Sequence, residues 1–557
     1  MTMAKSTTPG RWFMIAALFF IGTTVVAFTQ TAANPPTIAG GSYRIAGTVV
    51  SKGDAHPLAR ARVSIRDARD QQKVRSMVTA DDGKFEFNDI AAGKYSLQGG
   101  KRGFISAAYD QHDQYSTAIV TGAGLDTESL TLRLAPDSVI AGRVLDEAGE
   151  PVRHATVMLY YDDHGSGTDQ IRQIRGAQTD DQGAYEFTPL RPDIYFLSAA
   201  AKPWYAVHPN FGAQDKSYPT TAVDRSLDVA YPVTYYPDTT EAESAAPIPV
   251  QGGERIQTDI RLSPVPSLRL RFRMPEAERS GFRVPQIQQS AFEGSTYIQS
   301  DGARMVSPGI VEVTGIPAGH YNVRIDGGAE PGLQMIGVDL TRDGEEVDTS
   351  TGEAFGGVKV SVKIPGESVI PPRLGVRLRQ GQRVLTAGQQ VDAKGEAEFR
   401  QIAPGHYEVL VWGPGKAYSI AHMSADGAEV SGHALTLAAG ATPSLALTVI
   451  AGSSEVQGMA QRAGKAVSGV MVVLVPKNPE TNLALFRRDQ SDLDGTFALH
   501  NVIPGTYTIL AIENGWDLDW SRPNVIAAYV KRGRAVQVTS RNGQSMNVPE
   551  LVEVQSK

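Results

Sequence analysis

The chain has 557 residues, of which 41% are apolar, with 56 Gly, 33 Pro, no Cys and a formal net charge of −7. That length exceeds what one hydrophobic core supports and sets about three to five domains. The lack of Cys excludes disulfides, thiolate metal sites, cysteine nucleophiles and a lipid anchor through Cys. The acidic balance, without a Lys/Arg run, argues against nucleic acid as a partner.

Lys5 and Arg11 precede an apolar run from Trp12 to Phe28, and the small residues Thr31-Ala32-Ala33 follow. A positive start, an apolar middle and a small-residue end make residues 1–33 a signal peptide or, since the run is long for one, a membrane anchor through residues 12–28. In both cases the remainder lies outside the cytoplasm: periplasmic, cell-surface or extracellular. The membrane is a partner only if this segment stays uncleaved.

Beyond it one phrase recurs five times: Gly-x-apolar-x-apolar-x-x-apolar-x-x-Gly-x-Tyr. The copies run Gly83 to Tyr95, Gly183 to Tyr195, Gly309 to Tyr321, Gly395 to Tyr407 and Gly495 to Tyr507, with Asp193 in the second-Gly slot of copy two. A spacing of about 86 to 126 residues means a string of whole domains. The first Gly closes a turn, and the alternating apolar pair is a half-buried strand. Pro404-Gly405 and Pro504-Gly505 suit a type II turn, and Asp193 tolerates the left-handed backbone expected there. The Tyr opens the next strand, where its hydroxyl can bond back to upstream backbone as in a tyrosine corner.

In chain order, residues 43–135 form a first β-sandwich. Residues 137–263 form a second, with a long aromatic loop over 201–249. Residues 266–342 and 356–450 are divergent third and fourth sandwiches, joined by an acidic, Gly-rich stretch from Asp343 to Gly357. Residues 452–554 form a fifth. Alternating short strands and scarce helices make the fold all-β.

The run of first strand, Gly-x-Pro turn, Ala-x-Val strand, Asp-x-Gly turn and phrase is carried by Gly149-Glu150-Pro151-Val152-Arg153-His154-Ala155-Thr156-Val157 and Thr179-Asp180-Asp181-Gln182-Gly183-Ala184-Tyr185-Glu186-Phe187. It resembles the carboxypeptidase regulatory-like domain. The resemblance implies a tandem array of transthyretin-like, Ig-like sandwiches, with a carbohydrate-binding-like fold and an extracytoplasmic setting. It does not imply peptidase activity. In domains three and four it rests on the phrase alone.

No catalytic signature accompanies it. None of the ten His begins a His-x-x-Glu zinc motif, and Gly-x-Ser-x-Gly, phosphate-loop and dinucleotide fingerprints are missing. His320 and His406 share the slot before the repeat Tyr with Lys94 and Thr506, which reads as an exposed, freely variable strand position. Asp492-Leu493-Asp494-Gly495 resembles part of a calcium loop, but Asp-Gly is also common turn chemistry, and no metal or other cofactor is expected.

The aromatic residues outside the repeats are the candidate contacts for a polysaccharide or an envelope protein: Trp204, Tyr205, Tyr235 and Tyr236 in the long loop, and Trp412, Trp516 and Trp520 in loops beyond repeat strands. The competing reading has these rings filling the core beneath a loop. The expected function is non-enzymatic, structural or adhesive, or carbohydrate-binding, at the cell envelope. The alternative is an accessory subunit of a separately encoded peptidase or glycosidase. The sequence leaves the oligomeric state open.

Overall fold

The computed structural model describes residues 42–557 except 123, 166, 168–169, 209–223, 275–283, 293, 301, 327–332, 350–351, 368, 381–382, 385–387, 453, 481, 540–544 and 548–550. The signal or anchor segment lies outside the described residues, as does part of the long loop. Among the described residues no helix is long and apolar enough to cross a membrane. Among the described residues one α-helix, Pro523–Val530, accompanies otherwise β structure and short 3-10 turns.

Five units repeat one plan. A first strand pairs antiparallel with the phrase strand on one side and parallel with a closing strand on the other. In the first unit Tyr43–Ser51 lies between Lys84–Ile90 and Leu130–Leu134. The same arrangement holds for Ser138–Leu145, Leu268–Arg273, Gly356–Lys363 and Ser454–Arg462. A second sheet is built on the strand after the phrase: Gly93–Gly100, Asp193–Ala200, Gly319–Asp326, Gly405–Trp412 and Gly505–Glu513. Each unit has its own apolar core between the sheets, filled by the phrase residues, such as Phe85, Phe87 and Ile90 in the first. A fully buried side chain of this size contributes about 1.5–3 kcal/mol. In the fifth unit Val552–Ser556 pairs with both sheets and joins them.

The phrase works largely as its residues predict. Gly83, Gly183, Gly309, Gly395 and Gly495 all have φ between +69° and +85°. Each carbonyl accepts from the first strand, for example from Val49 N–H at 2.9 Å and Val362 N–H at 2.8 Å. A side chain there would be strained and, at Gly395, would meet the Val362 carbonyl oxygen at 2.4 Å. All five tyrosines close a corner. Their hydroxyls donate to the carbonyl four residues back: Tyr95 to Ala91, Tyr195 to Arg191, Tyr321 to Pro317, Tyr407 to Ala403 and Tyr507 to Ile503, at 2.6–3.1 Å.

Two local expectations need correction. The left-handed bend in the second half of the phrase sits just before the third apolar residue, at Asp89, Gly315, Gln401 and Asn501. A β-bulge against the first strand falls there, leaving two phrase residues unpaired in the first copy. Gly405 has a positive φ, +149°, but Gly319 and Gly505 do not and answer a different need. At Gly319 a Cβ would meet the corner Tyr hydroxyl at 2.9 Å, and at Gly505 the corner Tyr ring at 3.2 Å. Asp193 is therefore no left-handed substitute. The third unit also runs past residue 342: Glu345–Asp348 is its parallel closing strand, and Glu353–Ala354 adds to its second sheet.

The units do not form an extended string. The Ser521 N–H and hydroxyl both donate to the Gly167 carbonyl, 354 residues earlier, and Lys94 bonds to Asp492, 398 residues away. The fifth unit folds back onto the first and second, so the two ends of the array meet.

Candidate functional site

Trp516 and Trp520 stand where the chain closes. The strand Arg487–Gln490 of the fifth unit occupies the sheet edge that is exposed in its counterparts Val74–Val78 and Ile171–Gln178. Here units one and two cover it. The Arg488 guanidinium lies 4.4 Å from the Trp520 ring centroid, 5.2 Å from Tyr115 and 5.9 Å from Trp516. It also donates to the Gly165 carbonyl at 3.1 Å. Such a desolvated cation over several rings is worth about 2 kcal/mol or more. Trp516 stacks on His112, centroids 4.8 Å apart and planes 6° apart, and donates to the Gly469 carbonyl. Gln490 donates to the Asp110 carbonyl at 2.6 Å and to Thr117 at 2.8 Å.

Carboxylates cluster beneath these rings. Lys94 Nζ contacts Asp492 Oδ2 at 2.5 Å and Thr496 Oγ1 at 2.8 Å. The other Asp492 oxygen accepts the Ala118 N–H at 3.0 Å, and Leu493 N–H returns a bond to the Ala118 carbonyl. Burial pushes Asp489 up to about 7 and Asp492 up to about 6, in the second case against the pull of Lys94. Burial alone would lower Lys94, but Asp492, Asp494 and Asp489 hold it above its ordinary value. Lys94 therefore stays charged. The slot before the repeat Tyr is thus not exposed in the first unit, as the sequence reading had it: Lys94 is 7% exposed. The calcium-like turn delivers its Asp492 carboxylate to Lys94 and to a backbone N–H instead. At the matching Asp180 and Asp392 the carboxylate caps its own turn, and bonds from Ala184 N–H and Glu396 N–H lead in lowering its pKa.

Trp520, 8% exposed, is mortar in this junction and offers no free face. Trp412 is not in a loop. It ends the strand Gly405–Trp412, is half-buried, and lies beneath the Arg377 guanidinium at 5.0 Å.

The four aromatics of the long loop divide between two roles at the junction of units two and three. Tyr235 is 1% exposed because Phe292 of unit three inserts between Tyr235, Tyr160 and Phe196, at centroid distances of 5.4, 4.9 and 5.5 Å. Tyr235 is therefore removed from the candidate contacts. Tyr236 packs half-buried on the core of unit two. Trp204, by contrast, is 87% exposed. Its indole meets Tyr205 edge-on, 5.8 Å between centroids at 85°. Tyr205 and Tyr231 both donate their hydroxyls to Glu147, the second at 2.8 Å. Burial would raise Glu147, but the Tyr205 hydroxyl, its own backbone N–H and the Tyr231 hydroxyl together hold the carboxyl below its ordinary value. The platform beneath Trp204 is thus braced by a charge-assisted network.

Trp204 borders a cavity of about 210 Å³ whose lining includes Lys202, His208, Tyr231 and Gln299. Ser267, His208 and Asp228 meet nearby, but not as a nucleophilic relay. The Asp228 and Ser267 oxygens both lie on His208 Nδ1, at 2.8 and 3.1 Å, and the Ser267 hydroxyl donates to Asp228 at 2.5 Å. A relay needs Ser and Asp on opposite ring nitrogens.

From the sequence Lys94 reads as an exposed strand position and Asp492 as turn chemistry, while Arg488, Asp489 and Gln490 carry no functional signal of their own. The one signal was the charged run from Arg487 to Asp492, which reads as a solvated edge until another domain is placed over it. The sequence reading also passed over a pin shared by units one, two and five. Thr79, Thr179 and Ser491 stand four residues before the phrase Gly. Each hydroxyl accepts from the second strand and donates to the preceding turn, as Thr79 does with Ala61 N–H and the Leu58 carbonyl.

Comparison with known proteins places the first two units. The model of the carboxypeptidase regulatory-like domain matches residues 22–134 and 139–222. No curated protein matches the chain. Among solved structures, the Bacillus anthracis TIE protein is 10% identical over 74% of this chain and 76% of its own, with a TM-score of 0.18. A streptococcal ancillary pilin is 10% identical over 55% of this chain and 98% of its own, TM-score 0.19. BcpA, the major pilin subunit of Bacillus cereus, is 7% identical over 73% and 99%, TM-score 0.14. The chain is a tandem β-sandwich protein whose first two units match the carboxypeptidase regulatory-like domain.

Proposed function

We propose that this protein is an exported, non-enzymatic scaffold of five β-sandwiches that binds carbohydrate at the cell envelope through the junction of units two and three. One observation carries the reading: the Trp204 ring is 87% exposed, yet braced from below, at the mouth of a cavity lined by amide, amine and hydroxyl groups. A flat apolar face beside a few fixed polar groups is what the face of a pyranose ring, with its C–H surface and equatorial hydroxyls, requires. The signal-like residues 1–33 support export. Affinity electrophoresis in gels containing envelope and plant-type polysaccharides tests the reading. The wild-type chain is retarded by at least one polymer and Trp204→Ala is not; the absence of retardation in every gel would refute it.

A further inference from the structure

Among the described residues the exposed aromatic side chains are Trp204, at 87%, and Tyr297, at 59%. They belong to different domains, and both stand at the same junction. Tyr297 ends the edge strand Gly294–Tyr297 of unit three and lines a second cavity, of about 410 Å³. Its other lining groups include Gln286, Ser300 and Val284. The two cavities share Lys202 and Gln299. These same residues cross between the domains: Lys202 donates its ammonium to the Ser300 carbonyl, and Gln299 lies 3.5 Å from the Thr156 hydroxyl. The cavities are thus two halves of one depression, with an exposed ring on each side of a polar bridge. Lys202 is the charged residue common to both halves, and among the described lining residues there is no carboxylate.

From this geometry, and resting on the carbohydrate reading above, we infer that the site is a two-domain groove for a linear oligosaccharide, with Trp204 and Tyr297 as separate stacking platforms and Lys202 and Gln299 between them. A single sugar engages one platform, and a longer chain engages both. The second contact is then made within the complex, so affinity rises with chain length by the effective concentration of the tethered part. The binding surface is assembled only when units two and three are docked, which the insertion of Phe292 among Tyr160, Phe196 and Tyr235 secures.

The test is calorimetric titration of the full chain with cello-, xylo-, manno- and chito-oligosaccharide series, from the monosaccharide upward. Both rings are exposed, so Trp204→Ala and Tyr297→Ala retain the fold. Trp204→Ala should weaken every length of the bound series by about tenfold or more, as expected for an aromatic hot spot. Tyr297→Ala should leave the shortest sugars unchanged and abolish the gain with length. Length dependence that survives Tyr297→Ala, or no length dependence in the wild type, overturns the groove while leaving the single-platform reading intact. No binding of any series by the wild type overturns both.

Discussion

The junction of units five and one and the junction of units two and three are both rich in aromatic and polar residues, and they do opposite things. At the first, Trp520 and Arg488 are buried, and Lys94 spends its charge on Asp492. At the second, Phe292 and Tyr235 plug the seam while Trp204 and Tyr297 remain in solvent beside two cavities. The difference lies in where the rings find partners. A ring with a cation over it and a neighbour against each face has none to offer a ligand. A ring braced edge-on keeps one free. The same residue types therefore close the molecule in one place and leave it open in another.

The comparison is broken most directly at Asp492. Asp492→Ala strands the buried Lys94 ammonium and should cost about 3–5 kcal/mol in denaturant unfolding. Small-angle scattering should show a larger radius of gyration as unit five leaves unit one. Replacing both partners by apolar residues should recover most of the loss; failure to do so would mean that the pair is worth more than its packing. Arg488→Ala should cost about 2 kcal/mol or more, with Trp516 fluorescence shifting toward its solvated value. Saccharide binding should survive both changes once the fold is intact.

The closing junction should also titrate. Asp489 and Asp492 hold protons in the closed state up to about 7 and about 6, whereas an open chain releases them near the ordinary value of about 4. The closed state binds more protons, so its stability is full below about pH 4 and is lost as pH rises through about 6 to 7. Melting followed against pH should decline over that window, and Asp489→Asn should flatten the decline. Burial lowers His500, which opposes the trend as pH falls, and His500→Gln separates the two.

The corner tyrosines provide a scaffold control. Tyr195→Phe and Tyr507→Phe remove the same hydroxyl bond from a unit at each junction, and each should cost about 1 kcal/mol. Unequal losses would mean that the junctions alter the scaffold itself. The smallest stability effect belongs to Trp204→Ala, within about 0.5 kcal/mol, since its ring covers little core. Its effect on saccharide binding should be the largest of all.

Much of the fold was legible in the sequence. Each phrase position answers a local demand: a left-handed Gly, an alternating strand, a corner Tyr. Local demands repeat wherever the unit repeats. The bulge before the third apolar residue was not legible, because Asp89, Gly315, Gln401 and Asn501 share little beyond tolerance of positive φ. At the candidate site, the sequence picked out the aromatic types and the loop. It could not divide them, because exposure of a Trp is decided by what lies across from it.

The sequence by itself determined the unit: five all-β sandwiches, their core-facing positions, their pinned corners and the turn chemistry at Gly83 and its four counterparts. Only the tertiary structure decided which charged strand is buried. Arg488, Asp489 and Gln490 sit on a sheet edge whose counterparts in units one and two face water. They are buried because units one and two cover that edge from 300 residues or more away along the chain. Periodicity records which face of a strand meets its own core. It carries no record of a second domain arriving on the other side, and that arrival turned Trp520 into mortar and left Trp204 free.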